Sequence, residues 1–156
     1  MNSINTPADT ETGLTPAQRD DLRTIAGMMI PESAEYRVPG ADDQRIQADI
    51  VATLGRDTGR VRAALDHVAR LAGKPLAALD AATREAVVRE FRASGGVAAA
   101  TLARVILQCY YRDDRVLKSL NLELRPPFPL GHTLEQGDWS LLDPVKARPS
   151  MWRRAP

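Results

Sequence analysis

Few residues in this chain could do chemistry, and their spacing argues against it. There is one cysteine, Cys109, and two histidines, His67 and His132, in 156 residues. His67 has no second histidine at ligand spacing, so it reads as a solvated or capping side chain rather than a metal ligand. His132 lies in a different, proline-rich context. The pair Gly95-Gly96 follows a helical pattern rather than a strand, which excludes a dinucleotide-binding turn. No serine sits in a nucleophile-elbow pattern. Two acidic pairs, Asp42-Asp43 and Asp113-Asp114, stand where helices are expected to begin, so capping and the helix dipole account for them. Acid–base catalysis needs perturbed groups converging in a pocket, and this pattern offers none. The expectation is no catalytic residue, no metal site and no cofactor bound by this chain.

Cys109, being alone, cannot form an internal disulfide. It reads as a buried, inert thiol, with an intermolecular disulfide as the other possibility. The remaining candidates are aromatic. Tyr36, Tyr110, Tyr111, Phe128, Trp139, Met151, Trp152 and Arg153 belong to the residue types enriched at protein interfaces. The plain alternative is that they plug grooves on the chain's own helices. Met151, Trp152 and Arg153 favour an interface, because a chain end has few neighbours of its own.

The elements that must position these residues are helices. Thr15 and Gln18 have capping-box spacing, Pro16 stands where a helix tolerates proline, and Leu22, Ile25, Ala26 and Met29 form a stripe, which predicts a helix over 16–29. Pro31 stops it, and Pro39-Gly40 marks a turn in the loop that carries Tyr36. A second helix is expected from Ala41 or Asp42, with acids in its first turn, to Leu54. A third covers 58–72, with Val61, Ala64, Leu65, Val68 and Ala72 on one face and Gly73 as its stop. Asp80 should cap a fourth over 81–93, with Val87, Val88 and Phe91 inward and Arg84 among the outward residues. The fifth, 97–111, is so continuously apolar that it should be wrapped by the others. A short sixth, capped by Asp113 or Asp114, runs to Leu120. The fold class is therefore all-α, an irregular bundle of about six helices.

After Leu120 prolines recur too often for helix or ladder hydrogen bonds, so residues 121–156 should form an extended ribbon. Residues 1–14 read as a flexible arm and 15–120 as the helical domain. The ribbon is too rich in aromatic and aliphatic residues for a disordered tail. Ordering it costs about as much as its full burial returns, and the helices beneath can cover only one of its sides. The other side calls for a partner surface. A stand-alone helical binding or regulatory module that self-associates through the ribbon is the alternative. A small enzyme is a third reading.

Net charge is +1 with both signs interspersed, which gives no footprint for nucleic acid or an anionic membrane. Residues 1–14 have neither a basic nor an apolar segment of the signal-peptide kind, and the longest apolar run, Val97 to Leu107, is too short to cross a bilayer. The expected location is the cytoplasm.

Several short motifs resemble those of the gluconate 2-dehydrogenase subunit 3 family. They are Met28-Met29-Ile30-Pro31 followed by Val38-Pro39-Gly40-Ala41-Asp42, the Tyr110-Tyr111 pair closing a helix, and Pro126-Pro127-Phe128-Pro129-Leu130-Gly131. The likeness runs from about Leu14 to Arg153. It implies an all-helical, non-catalytic small subunit that binds and stabilises a large FAD-containing dehydrogenase subunit of the glucose–methanol–choline type. FAD would sit in that partner. The family also keeps Cys109 a candidate for an intersubunit thiol. Many members carry a twin-arginine export signal, which residues 1–14 lack; the complex would be cytoplasmic, or periplasmic if this chain is trimmed or exported with its partner.

Overall fold

A computed structural model describes residues 13–126, 128–131 and 135–149. Among them are seven α-helices, three 3₁₀ turns and no strand. The fold is all-α, and none of these helices is long and apolar enough to cross a membrane. The chain divides into a helical unit ending at Leu124 and a second unit beginning at Arg125.

The first helix, α1 (Pro16–Met29), starts where its cap dictates. Thr15 Oγ1 accepts from the Gln18 amide at 3.2 Å, and Gln18 Oε1 accepts from the Thr15 amide at 2.9 Å. The expected flexible arm ends sooner than residue 14. Leu14 is buried in the core, and the Gly13 carbonyl accepts from Arg62 Nε at 3.0 Å and also from Arg62 Nη2. An apolar residue just before an N-cap fixes the angle at which the chain meets its helix. Residues 1–12 lie outside the described set.

Helix α2 (Gln44–Thr53) begins later than Ala41 or Asp42. Asp43 is its N-cap, accepting from the amides of Arg45 and Ile46 at 3.0 and 3.3 Å. A carboxylate serves these unpaired donors better from the cap than from inside the first turn, which places the start after Asp43. Helix α3 (Thr58–Ala72) has the expected bounds and ends at Gly73, whose φ of 65° is the left-handed form that glycine adopts without strain. Helix α4 (Ala81–Ser94) is capped by Asp80, which accepts from the Thr83 amide at 3.0 Å.

The α3–α4 connection is held from both sides. Buried Asp21 on α1 accepts from the Leu76 amide at 3.0 Å. Arg84, expected outward, instead turns back and donates to the carbonyls of Leu76 and Leu79 at 3.0 and 2.7 Å. Carbonyls left over by a short 3₁₀ turn need donors, and a guanidinium supplies several.

Helix α5 (Gly96–Tyr110) is not wrapped all round. Thr101, Leu102, Val105, Ile106, Cys109 and Tyr110 are buried, whereas Val97 and Leu107 face out. The middle of the bundle belongs as much to α3, which packs on α1, α4 and α5 and fully buries Val61, Ala64, Leu65 and Val68. Helix α6 (Asp114–Ser119) follows the N-cap Asp113. It ends on Asn121 at φ 56°, with the Leu122 amide donating to the Leu117 carbonyl and the Asn121 amide to that of Lys118, both at 3.0 Å. That is a Schellman stop with asparagine in the glycine position. The helical unit ends at Leu124, four residues beyond the expected Leu120.

The second unit is not extended throughout. Asp138 accepts from the Ser140 amide at 3.0 Å and caps a 3₁₀ turn, Trp139–Leu142, which runs into α7 (Asp143–Lys146). Pro144 does not break this helix because it occupies its first turn, where the missing N–H has no partner to lose.

Candidate partner interface

The aromatic candidates divide by burial. Tyr36 is 66% exposed at the tip of a clasp in which Ser33 and Val38 exchange two backbone bonds of 3.1 Å. Arg37 sits beside it at a φ of 54°, and the Ala41 amide closes the base on the Ile30 carbonyl at 2.8 Å. Tyr111 is 52% exposed. Tyr110 is not a surface residue: it extends the inward stripe of Leu102 and Ile106 and lies in the core. The two rings meet edge to face, their centroids 5.2 Å apart. A pair at the end of a helix points in two directions about a hundred degrees apart, so only one of them can face a partner.

In the second unit Phe128 is 87% exposed, Trp139 66% and Leu141 74%, with Leu130 and Val145 also facing out. Met151, Trp152, Arg153 and also His132 lie outside the described residues.

Cys109 is buried at the end of α5. Its Sγ lies 3.5 Å from Thr53 Oγ1 and 3.6 Å from Arg112 Nη2, and Arg112 donates to Asp49 Oδ2 at 2.6 Å. Burial pushes the thiol above its ordinary range, more than the bond from Thr53 and the Arg112 charge pull it down. A protonated, covered thiol is a poor nucleophile. His67 packs its ring edge-on against Phe91, the centroids 5.7 Å apart, with Nε2 at 3.4 Å from Ser94 Oγ. Among the described residues no group of three or more His, Cys, Asp or Glu could hold a metal ion.

Arg115 is the residue that sequence reasoning missed. Its Nη2 donates to Asp43 Oδ1 at 2.7 Å, and its Nε donates to Asp113 Oδ1 at 2.9 Å. One guanidinium thus joins the caps of α2 and α6. The hydrogen bonds from Arg115 hold both carboxyls below the usual carboxylate range, against the opposing effect of burial. Arg45 adds longer contacts to Asp113 and Asp114 at 3.9 and 3.8 Å. Each acidic pair carries a cap, and the two caps are tied together.

An apolar groove is open on the helical unit. About 500 Å³ in volume, it lies between Met28 and Met29 of α1, Val88 of α4 and Ala99 and Ala103 of α5, over a floor that includes Phe91 and Leu102. Both α1 and α4 pack on α3.

No protein-family model matches this chain, and no curated protein or solved structure matches it either.

Proposed function

We propose that the chain is the non-catalytic small subunit of a sugar or alcohol dehydrogenase, binding and stabilising a large FAD-containing subunit of the glucose–methanol–choline type. The reading is supported first by the resemblance of the Met28–Asp42, Tyr110–Tyr111 and Pro126–Gly131 stretches. The observation that carries it is the exposure of Phe128, Leu130, Trp139, Leu141 and Val145, a concentration of apolar surface in a short stretch of chain. Scattered exposed apolar residues are ordinary, but several close together mark a contact site. Aromatic anchors of this kind fill pockets on a partner and carry most of an interface's energy. Tyr36 and Tyr111 offer further anchors on the helical unit. FAD would belong to the large subunit, and this chain's contribution would be fold stability rather than chemistry.

The test is co-expression with the reading frames that flank its own, followed by affinity purification on this chain. A flavin absorption spectrum in stoichiometric amount, lost when Phe128, Trp139 and Leu141 are together changed to serine, is the expected result. A chain that purifies without flavoprotein, as a homo-oligomer dispersed by the same triple change, would replace the reading with a self-associating module.

A further inference from the structure

The open groove on the helical unit differs in chemistry from the exposed C-terminal residues, and it has a charged edge. Its walls are small or soft. Ala99 and Ala103, one turn apart on α5, let a backbone approach closely, and Met28 and Met29 are half-exposed thioethers able to conform to an incoming surface. Among the described residues, the charged side chains lining it come from α4: Glu85, Arg89 and Arg92. Arg89 pairs with Glu85 at 3.0 Å, but both are about three-quarters exposed, and a pair that open to water binds weakly. Among the described residues, the rim therefore has an excess of positive charge along α4, and the α1 residues that line it, Ile25, Met28 and Met29, carry none.

We infer that this groove docks an amphipathic helix of a protein partner whose apolar stripe is flanked by acidic residues. Helix-in-groove recognition seats residues at i, i+3, i+4 and i+7 in such a recess, and the flanking charge sets orientation and specificity. The occupant's carboxylates meet Arg89 and Arg92 along α4, and its side without charge lies against the methionines. This is a second contact surface beyond the C-terminal residues of the proposed subunit role, and it stands whether or not the partner is a flavoprotein.

Methionine methyl NMR reads the groove directly, because Met28 and Met29 are two of only four methionines. The probes are a helical peptide of about 15 residues with a leucine stripe and glutamate flanks, and its lysine-flanked counterpart. The full chain carries labelled methionine methyls, assigned through Met28→Leu and Met29→Leu. The glutamate peptide should shift the Met28 and Met29 signals and bind at least about tenfold tighter than the lysine peptide at low salt, a gap that narrows as salt is added. The doubly reversed variant Arg89→Glu/Arg92→Glu, changed only at exposed positions, should invert that preference. Equal affinity for both peptides overturns the inference, as does the absence of any shift. Signals that move with protein concentration alone would assign the groove to a second copy and overturn it too. None of these outcomes touches the flavoprotein test, which reads a different surface by copurification.

Discussion

Replacing Arg115 by methionine tests whether the joined caps hold the bundle. The change deletes all the guanidinium bonds to Asp43 and Asp113 and keeps an unbranched apolar stem. Asp43 is partly open to water and keeps its two capping amides, so solvent replaces much of what it loses. Asp113 cannot be compensated that way: its side chain is 4% exposed, leaving one amide at 2.9 Å and the distant Arg45. Stripping the partner from a buried carboxylate costs up to about 3–5 kcal/mol. The guanidinium itself is 39% exposed, which discounts that to roughly 2–3 kcal/mol. For a domain of this size the melting temperature falls by about 5–12 °C, read by far-ultraviolet circular dichroism. Arg115→Lys should lie in between, since an ammonium keeps the charge but cannot fork between two carboxylates. The acid side adds an independent signature. Both aspartates have folded values held below the ordinary 3.8. Their contribution is present above that value and lost as pH falls through the lower folded values. The gap between wild type and Arg115→Met should therefore shrink below about pH 4. A loss under about 0.5 kcal/mol, unchanged down to acid pH, would refute the reasoning.

Three further outcomes follow from the packing. Gly95→Ala should cost about 1–3 kcal/mol in urea unfolding, because a Cβ there would stand 2.6 Å from both the Phe91 carbonyl and the Ala99 side chain. Asp21→Ala should cost about 1–3 kcal/mol by stranding the Leu76 amide, and Asp21→Asn, which keeps an acceptor, should cost less. Cys109 in the folded chain should react with an aromatic disulfide reagent far more slowly than in urea, gaining speed only above the pH where free cysteine ionises; immediate reaction at neutral pH would contradict its burial.

What was legible in the sequence is local. The Thr15–Gln18 box, the Asp80 cap and the Gly73 stop act within a few residues of themselves, and α1, α3 and α4 lie where those signals put them. Stripe residues such as Val61, Leu65 and Ile106 are buried for the same reason: helical periodicity needs no knowledge of the neighbour. What was not legible depends on distance or on context. Nothing near Asp43 announces an arginine 72 positions later, and nothing near Leu76 announces Asp21. Pro144 reads as a breaker until its place in the first turn is known. Tyr110 and Tyr111 share a residue type and differ in role, because position around the helix, not chemistry, decides which is inside.

The link at Arg115 also orders events in time. Translation delivers Asp43 long before Arg115, so a nascent chain must hold α2 without that clamp until nearly the whole helical unit has left the ribosome. Once residue 115 arrives, one side chain locks the oldest third of the bundle to its newest helix. A chain truncated at Asp114 would keep five of the six helices described in that unit and still lack its latch.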